Sequence, residues 1–138
     1  MRRILTLCLI GVAAVTASLG QTLTTLASFN GSNGSDPLAS LVQGLDGNLY
    51  GTTYVGGSNN GGTVFKITPR GGLTSLYSFA VPYGGGPDDP LVQAPNGSFY
   101  GTTQGGGVGC DGFGCGTVFG LSPEQGGGWG EEILISFQ

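Results

Sequence analysis

Leu49-Tyr50-Gly51-Thr52-Thr53 is followed, after a glycine-rich stretch, by Gly62-Thr63-Val64-Phe65. At a shift of 50 residues the first string returns as Phe99-Tyr100-Gly101-Thr102-Thr103, and at a shift of 54 the second returns as Gly116-Thr117-Val118-Phe119. The four extra residues fall in the loop that holds Cys110 and Cys115. Around these strings Leu41-Val42-Gln43 recurs as Leu91-Val92-Gln93, and Asp46-Gly47 as Asn96-Gly97. Ser78-Phe79 recurs as Ser136-Phe137 and is anticipated by Ser28-Phe29. So many matches in one order identify tandem units.

Each unit reads as four short strands. In the first unit they run from Leu38 to Gln43, Asn48 to Thr53, Gly62 to Thr68 and Leu73 to Phe79. Asp46-Gly47 and Asn96-Gly97 predict tight hairpins with primed turns, whose central residues need positive φ. Pro69 and Gly71-Gly72 close the third strand. No window carries apolar residues at helical spacing. Phe65 and Ile67 share one strand face while Val64 takes the other; Leu73, Tyr77 and Phe79 oppose Leu76 in the same way. Apolar residues on both faces require a sheet covered on both sides. The expected fold is therefore all-β, with four-stranded repeats of about 50 residues stacked as β-propeller-like blades; a solenoid or a stacked sandwich are the other arrangements of such sheets.

A strand of the fourth type at Thr25 to Phe29 precedes the two full units. The expected organisation is a leader at 1–20, a partial unit at 21–35, unit one at 36–86 and unit two at 87–138. Closed propellers use about 4 to 8 blades. Two blades leave an incomplete ring, so the chain is expected to be a piece of a longer array or to assemble as a homo-oligomer.

Composition narrows the function classes. Of 138 residues, 30 are glycine and 9% are charged, yet 38% are hydrophobic, which argues against disorder. The glycines keep no three-residue period, which excludes collagen. Arg2 and Arg3 precede the apolar stretch Ile4 to Val15, and small residues follow at Ala17, Ser18 and Gly20, as in a secretory signal peptide. The apolar run is shorter than the ~20 residues that span a bilayer, so no membrane span is expected in the mature chain. Beyond it Lys66 and Arg70 face eight carboxylates, leaving almost nothing to neutralise phosphates, and nucleic acid is excluded as a partner.

The series Asp46 to Thr53, Gly56-Gly57, Gly62 to Pro69 and Leu76 to Phe79 resembles the GloVer-type tandem repeat of exported bacterial proteins. Gly128-Trp129 and Glu131-Glu132 in the second unit are also similar to members of that family. The resemblance covers nearly everything after the leader. It implies an extracellular or surface role, relatives with more repeats, and no catalytic residues to carry over.

The chemistry of the residues points the same way. With no histidine in the chain, neither a Ser-His-Asp triad nor a histidine metal site can form. Asp88-Asp89 and Glu131-Glu132 are adjacent pairs, whose side chains point to opposite faces of a strand and are poorly placed to cooperate on a glycoside. Gly107-Val108-Gly109-Cys110-Asp111-Gly112 fits the dinucleotide-binding fingerprint, but no helix follows to hold a pyrophosphate. Cys110 and Cys115 read as a disulfide staple in an exported chain; a metal site lacks further ligands, and a redox pair expects closer spacing. Asp46, Asn48, Asn96 and Asp111 read as turn formers rather than calcium ligands. Asn-Gly-Ser sequons at Asn30, Asn33 and Asn96 are expected by chance in such a composition. Tyr83 and Trp129, in glycine-rich settings, are the candidate ligand contacts, with a cap over a sheet edge as their structural alternative. These readings converge on a secreted or cell-surface repeat scaffold that is no enzyme, needs no cofactor, and meets protein or polysaccharide. A lectin-like module formed by oligomerised short chains is the alternative, and a carbohydrate-active enzyme the third reading.

Overall fold

The computed structural model describes residues 22–81, 83–107 and 112–138. The expected leader at 1–20, Cys110 and Asp111 lie outside the described residues. Strands β1 (Val42–Gln43), β2 (Leu49–Thr53), β3 (Asn60–Ile67) and β4 (Leu73–Ala80) form one four-stranded antiparallel sheet in that order. Strands β5 (Val92–Gln93), β6 (Phe99–Thr103), β7 (Thr117–Pro123) and β8 (Trp129–Ser136) form a second sheet of the same order. The two sheets, units one and two, stack like propeller blades and close neither a barrel nor a ring.

The hairpins share one closure. Gly44 N donates to Asn48 O at 2.8 Å and Gly47 N to Gly44 O at 2.9 Å, and the same pair of bonds recurs at Ala94 and Ser98, at Thr68 and Gly72, and at Glu124 and Gly128. In the first three of these it is a three-residue loop, a type I turn followed by a left-handed residue, whereas between Glu124 and Gly128 both Gly126 and Gly127 have positive φ, 118° and 96°. Gly47, Gly71 and Gly97 take that left-handed place with φ of 79°, 87° and 88°. Asp46 and Asn96 do not have positive φ, so the expected primed turns are replaced by this wider loop. Their side chains stabilise it instead: Asn48 N donates to Asp46 Oδ1, and Ser98 N to Asn96 Oδ1, both at 3.1 Å.

The repeated strings explain one another through cross-strand contacts. Thr53 and Thr63 are partners on β2 and β3, and their hydroxyls lie 2.9 Å apart in the buried interior. Thr53 Oγ1 donates to Val55 O and accepts from Thr63 N, so its bonding capacity is used where no water reaches. Thr103 and Thr117 repeat this arrangement at 2.7 Å. The glycine between Tyr and Thr makes room for the ring opposite. A Cβ on Gly51 would stand 2.7 Å from Phe65 Cζ and 2.8 Å from Leu41 Cδ2. On Gly101 it would stand 2.7 Å from Phe119 Cζ and 3.1 Å from Leu91 Cδ2. The Leu just before the first strand and the Gly and Phe of the next two thus form one packed layer, the leading face of each unit.

The opposite, trailing face carries Tyr50, Val64, Leu76 and Tyr77 in unit one and packs on the leading face of unit two. Tyr50 stacks on Phe99 with ring centres 4.3 Å apart, and Phe79 meets Phe119 edge-on at 4.9 Å. Tyr50, Val64, Phe79, Leu91, Phe99, Phe119 and Leu121 make one buried core that spans both sheets. Phe29 meets Phe65 at 4.9 Å in the same edge-on geometry, so the closing Phe of each preceding segment covers the ring of the next unit.

Three expectations about strands are corrected. The first strand of each unit is only two residues long: Leu38 to Leu41 join no ladder, with a bend at Ala39, and in unit two the chain bends at Asp89 just before Pro90, which lacks the N–H a ladder needs. Thr25 to Phe29 is not a strand: β4 and β8 draw their ladder from β3 and β7, and no described strand precedes Thr25. The alternation in β4 also breaks. Val64 pairs with Tyr77 and Phe65 with Ser75, so Leu76 is an extra residue at a β-bulge, and Leu76 and Tyr77 both pack against the core instead of opposing each other. The same bulge recurs between Val118 and Phe119.

One buried hydroxyl departs from the pattern. Thr102 Oγ1 donates to Asp89 Oδ2 at 3.0 Å, but the equivalent Thr52 Oγ1 has no partner among the described residues, because Ala39 stands where unit two has Asp89. We predict that Thr53→Val lowers unfolding free energy by about 1–3 kcal/mol in urea titration, since it orphans the amide of Thr63 and removes one of the two bonds to the carbonyl of Val55. Thr52→Val is expected to be neutral or stabilising by up to ~1 kcal/mol. Equal losses for the two variants would contradict this account of the motif.

Candidate functional site

Stacking the units creates a cleft at the sheet end opposite the type I hairpin loops. The segment joining the units pairs with the loop after β6: Gly105 N donates to Gly85 O at 2.8 Å and Gln104 N to Gly86 O at 3.1 Å. Ser35 and Val55, with Tyr54 and Asp36, repeat this clasp in unit one. Each clasp turns the residue after Thr-Thr toward the junction, and Tyr54 Oη donates to Gln104 Oε1 at 2.5 Å across it. The cleft measures about 530 Å³, and its walls come from Tyr54, Asn60, Val81, Gln104 and Phe113 with the backbone of the joining glycines. Phe113 is exposed, with its ring available at the rim. No carboxylate, thiol or basic side chain lines the cleft among the described residues. Its chemistry is that of aromatic faces, amide side chains and backbone polar groups, which can bind a neutral ligand.

At the other end of the sheets a shallower apolar hollow lies between the β1–β2 and β5–β6 hairpins, lined by Val42, Leu45, Leu91, Val92 and Pro95. Leu45 N donates to Gln93 Oε1 at 2.8 Å and ties the two hairpins together.

The structure separates the two aromatic candidates. Trp129 begins β8 beside the β7–β8 turn and packs on Phe99 at 5.9 Å, as a partly buried edge of the core. Tyr83 follows β4 at the opposite end and is 76% exposed. Neither lines the cleft. Tyr54 and Phe113 were not singled out by the sequence reading; the one signal for Tyr54 is its place directly after the repeated Thr-Thr, and Phe113 sits in the four-residue insertion loop without a counterpart in unit one.

Glu131 and Asp46 hold structural bonds. Glu131 and Glu132 oppose Leu121 and Gly120 on successive positions of β8 and so face apart. Glu131 Oε2 accepts from Tyr77 Oη of unit one at 2.6 Å, joining the units. Asp46 Oδ2 accepts from Tyr50 Oη at 2.8 Å and from Asn48 Nδ2 at 2.6 Å. No group of three or more metal-ligating side chains occurs among the described residues. Cys115 is half-buried just before β7, and its expected partner Cys110 is outside the described residues.

Residues 11–138 match the profile described as the Gloeobacter/Verrucomicrobia repeat. The chain belongs to that family. Membership of the Gloeobacter/Verrucomicrobia repeat family accords with the resemblance carried by the repeated strings. A comparison with curated proteins finds no match. No helix of the described residues is long and apolar enough to cross a membrane.

Buried Tyr50 and half-buried Tyr77 are both shifted toward higher pKa. Burial, then the hydrogen bond to Asp46 and its negative charge, push the Tyr50 hydroxyl up to about 12 from 10.0. Burial and Glu131 raise Tyr77 in the same way. For Asp46, burial pushes upward, but the bonds from Asn48 and Tyr50 outweigh it and the net direction is down. A tyrosine raised in the folded state holds its proton after the unfolded chain has released it, so its stabilisation is complete below pH 10 and lost as pH rises toward 12. We predict that stability declines over that window, and that Tyr50→Phe and Tyr77→Phe each make the decline shallower in urea titrations at stepped pH. An unchanged slope in both variants would contradict it.

Proposed function

We propose that this chain is a non-catalytic repeat scaffold, exported to the cell surface or medium, that presents the inter-unit cleft and the outer sheet faces to a protein or polysaccharide. The observation that carries the reading is the cleft itself: aromatic and amide groups line it, with no carboxylate, thiol or basic side chain among the described residues. Family membership supports the repeat architecture. The basic and apolar leader supports export, and a Cys110–Cys115 staple belongs to that oxidising setting.

A lectin-like role is the second reading. Tyr54 and Phe113 offer ring faces, and Asn60 and Gln104 offer the paired donors and acceptors that sugar hydroxyls need. In that case neutral oligosaccharides bind the wild type in calorimetric titration, binding is lost in Phe113→Ala, and Trp129→Leu retains it once folding is verified. Should Phe113→Ala bind unchanged, the cleft is not the sugar site.

The scaffold reading makes its own prediction. No turnover is expected from a panel of glycoside, ester and peptide substrates, in the wild type or with Asp88, Asp89, Glu131 and Glu132 neutralised. Turnover that disappears in any of those variants would make the chain an enzyme and end the scaffold reading. The exported protein is expected to begin at Ser18 or Gln21 by N-terminal sequencing.

A further inference from the structure

We infer that the trailing face of unit two is a self-association surface, and that it receives the leading face of unit one from a second copy of this chain. The inference rests on the scaffold reading and names its partner.

The two units are built to the same register, so each residue of one face has a counterpart. In unit one the trailing face is covered by unit two. In unit two the same face is bare: Tyr50 is 3% exposed and Tyr100 36%, while Phe79 is 1% exposed and Phe137 47%. Leu134 and Ile135 stand at the positions of Leu76 and Tyr77, beside the same bulge, and are exposed where their counterparts pack on the core. This is a contiguous apolar face that nothing among the described residues covers.

The complementary surface is also on the chain. Leu91, on the leading face of unit two, is 3% exposed against unit one; Leu41, its counterpart on unit one, is 47% exposed. The ring of Phe65 on that leading face is buried and meets Phe29, which comes from an irregular segment and not from a packed unit. Phe29 sits on Phe65 as Phe79 sits on Phe119, with the same 4.9 Å separation. The in-chain segment therefore occupies the place that Phe137 of another copy takes in the continued stack. Trailing face on leading face is the interface that already joins units one and two, and repeating it between copies continues an established packing. Such a head-to-tail contact is heterologous, and it generates a ring if the rotation closes and a filament if it does not.

Two single-face variants of the full chain test this, with circular dichroism as the control for folding. Leu41→Asp spoils only the leading face, and Ile135→Asp only the trailing face. In sedimentation velocity the wild type is expected to form concentration-dependent oligomers. Each variant alone stays monomeric, with association weakened at least about tenfold, and an equimolar mixture of the two forms heterodimers through the one intact pair of faces. Phe29→Ala tightens wild-type association several-fold, because it removes the segment that competes for Phe65. Dimers of Leu41→Asp alone would mean trailing face against trailing face and overturn the inference. So would a mixture that stays monomeric. A folded wild type that remains monomeric at every concentration overturns it as well, yet leaves the scaffold reading standing, since that reading falls on turnover and not on mass.

Discussion

The edge-on contact of Phe79 with Phe119, and of Phe29 with Phe65, is the constraint around which the rest of the structure is arranged. A four-stranded sheet of this size has two apolar faces and no helix to cover either, so each unit depends on its neighbour. The closing Phe reaches over the next sheet and lands on the ring of the Gly-Thr-Val-Phe string. That ring can lie flat enough to receive it only because Gly51 and Gly101 leave the space opposite empty. The buried threonine pairs then hold β2 to β3 and β6 to β7 at the level where the glycine has removed side-chain packing. Motif residues that look unrelated in the sequence are thus parts of one joint.

The candidate site follows from the same joint. Its cleft exists between units rather than within one, since Tyr54 and Asn60 come from the first and Gln104 and Phe113 from the second. The tyrosine bonds to Glu131 and Asp46 strengthen the junction and its neighbouring turn.

Much of this was legible in the sequence. The period gave the unit, and Asp-Gly, Asn-Gly and Pro69 with Gly71 placed the hairpins within a residue or two, because turn chemistry is local. What failed was whatever depends on a partner strand. Thr25 to Phe29 has the residues of a strand but no ladder to join. Leu38 to Leu41 reads as extended, yet the chain bends at Ala39 and the segment joins no ladder. The bulge at Leu76 leaves no local mark, since an extra residue is defined only against the strand opposite. The cleft was invisible for a similar reason: Tyr54 and Gln104 are fifty residues apart, and only stacking brings them together. Trp129 attracted notice as a lone aromatic among glycines, while the structure packs it on Phe99.

The most direct measurement of the central contact is a double-mutant cycle between Phe79→Leu and Phe119→Leu, read as unfolding free energy in urea. The account predicts that the two losses fail to add, with a coupling of about 0.5–1.5 kcal/mol from the edge-on pair. Strictly additive losses would mean that the rings are buried side by side without supporting each other, and that the joint between units lies elsewhere.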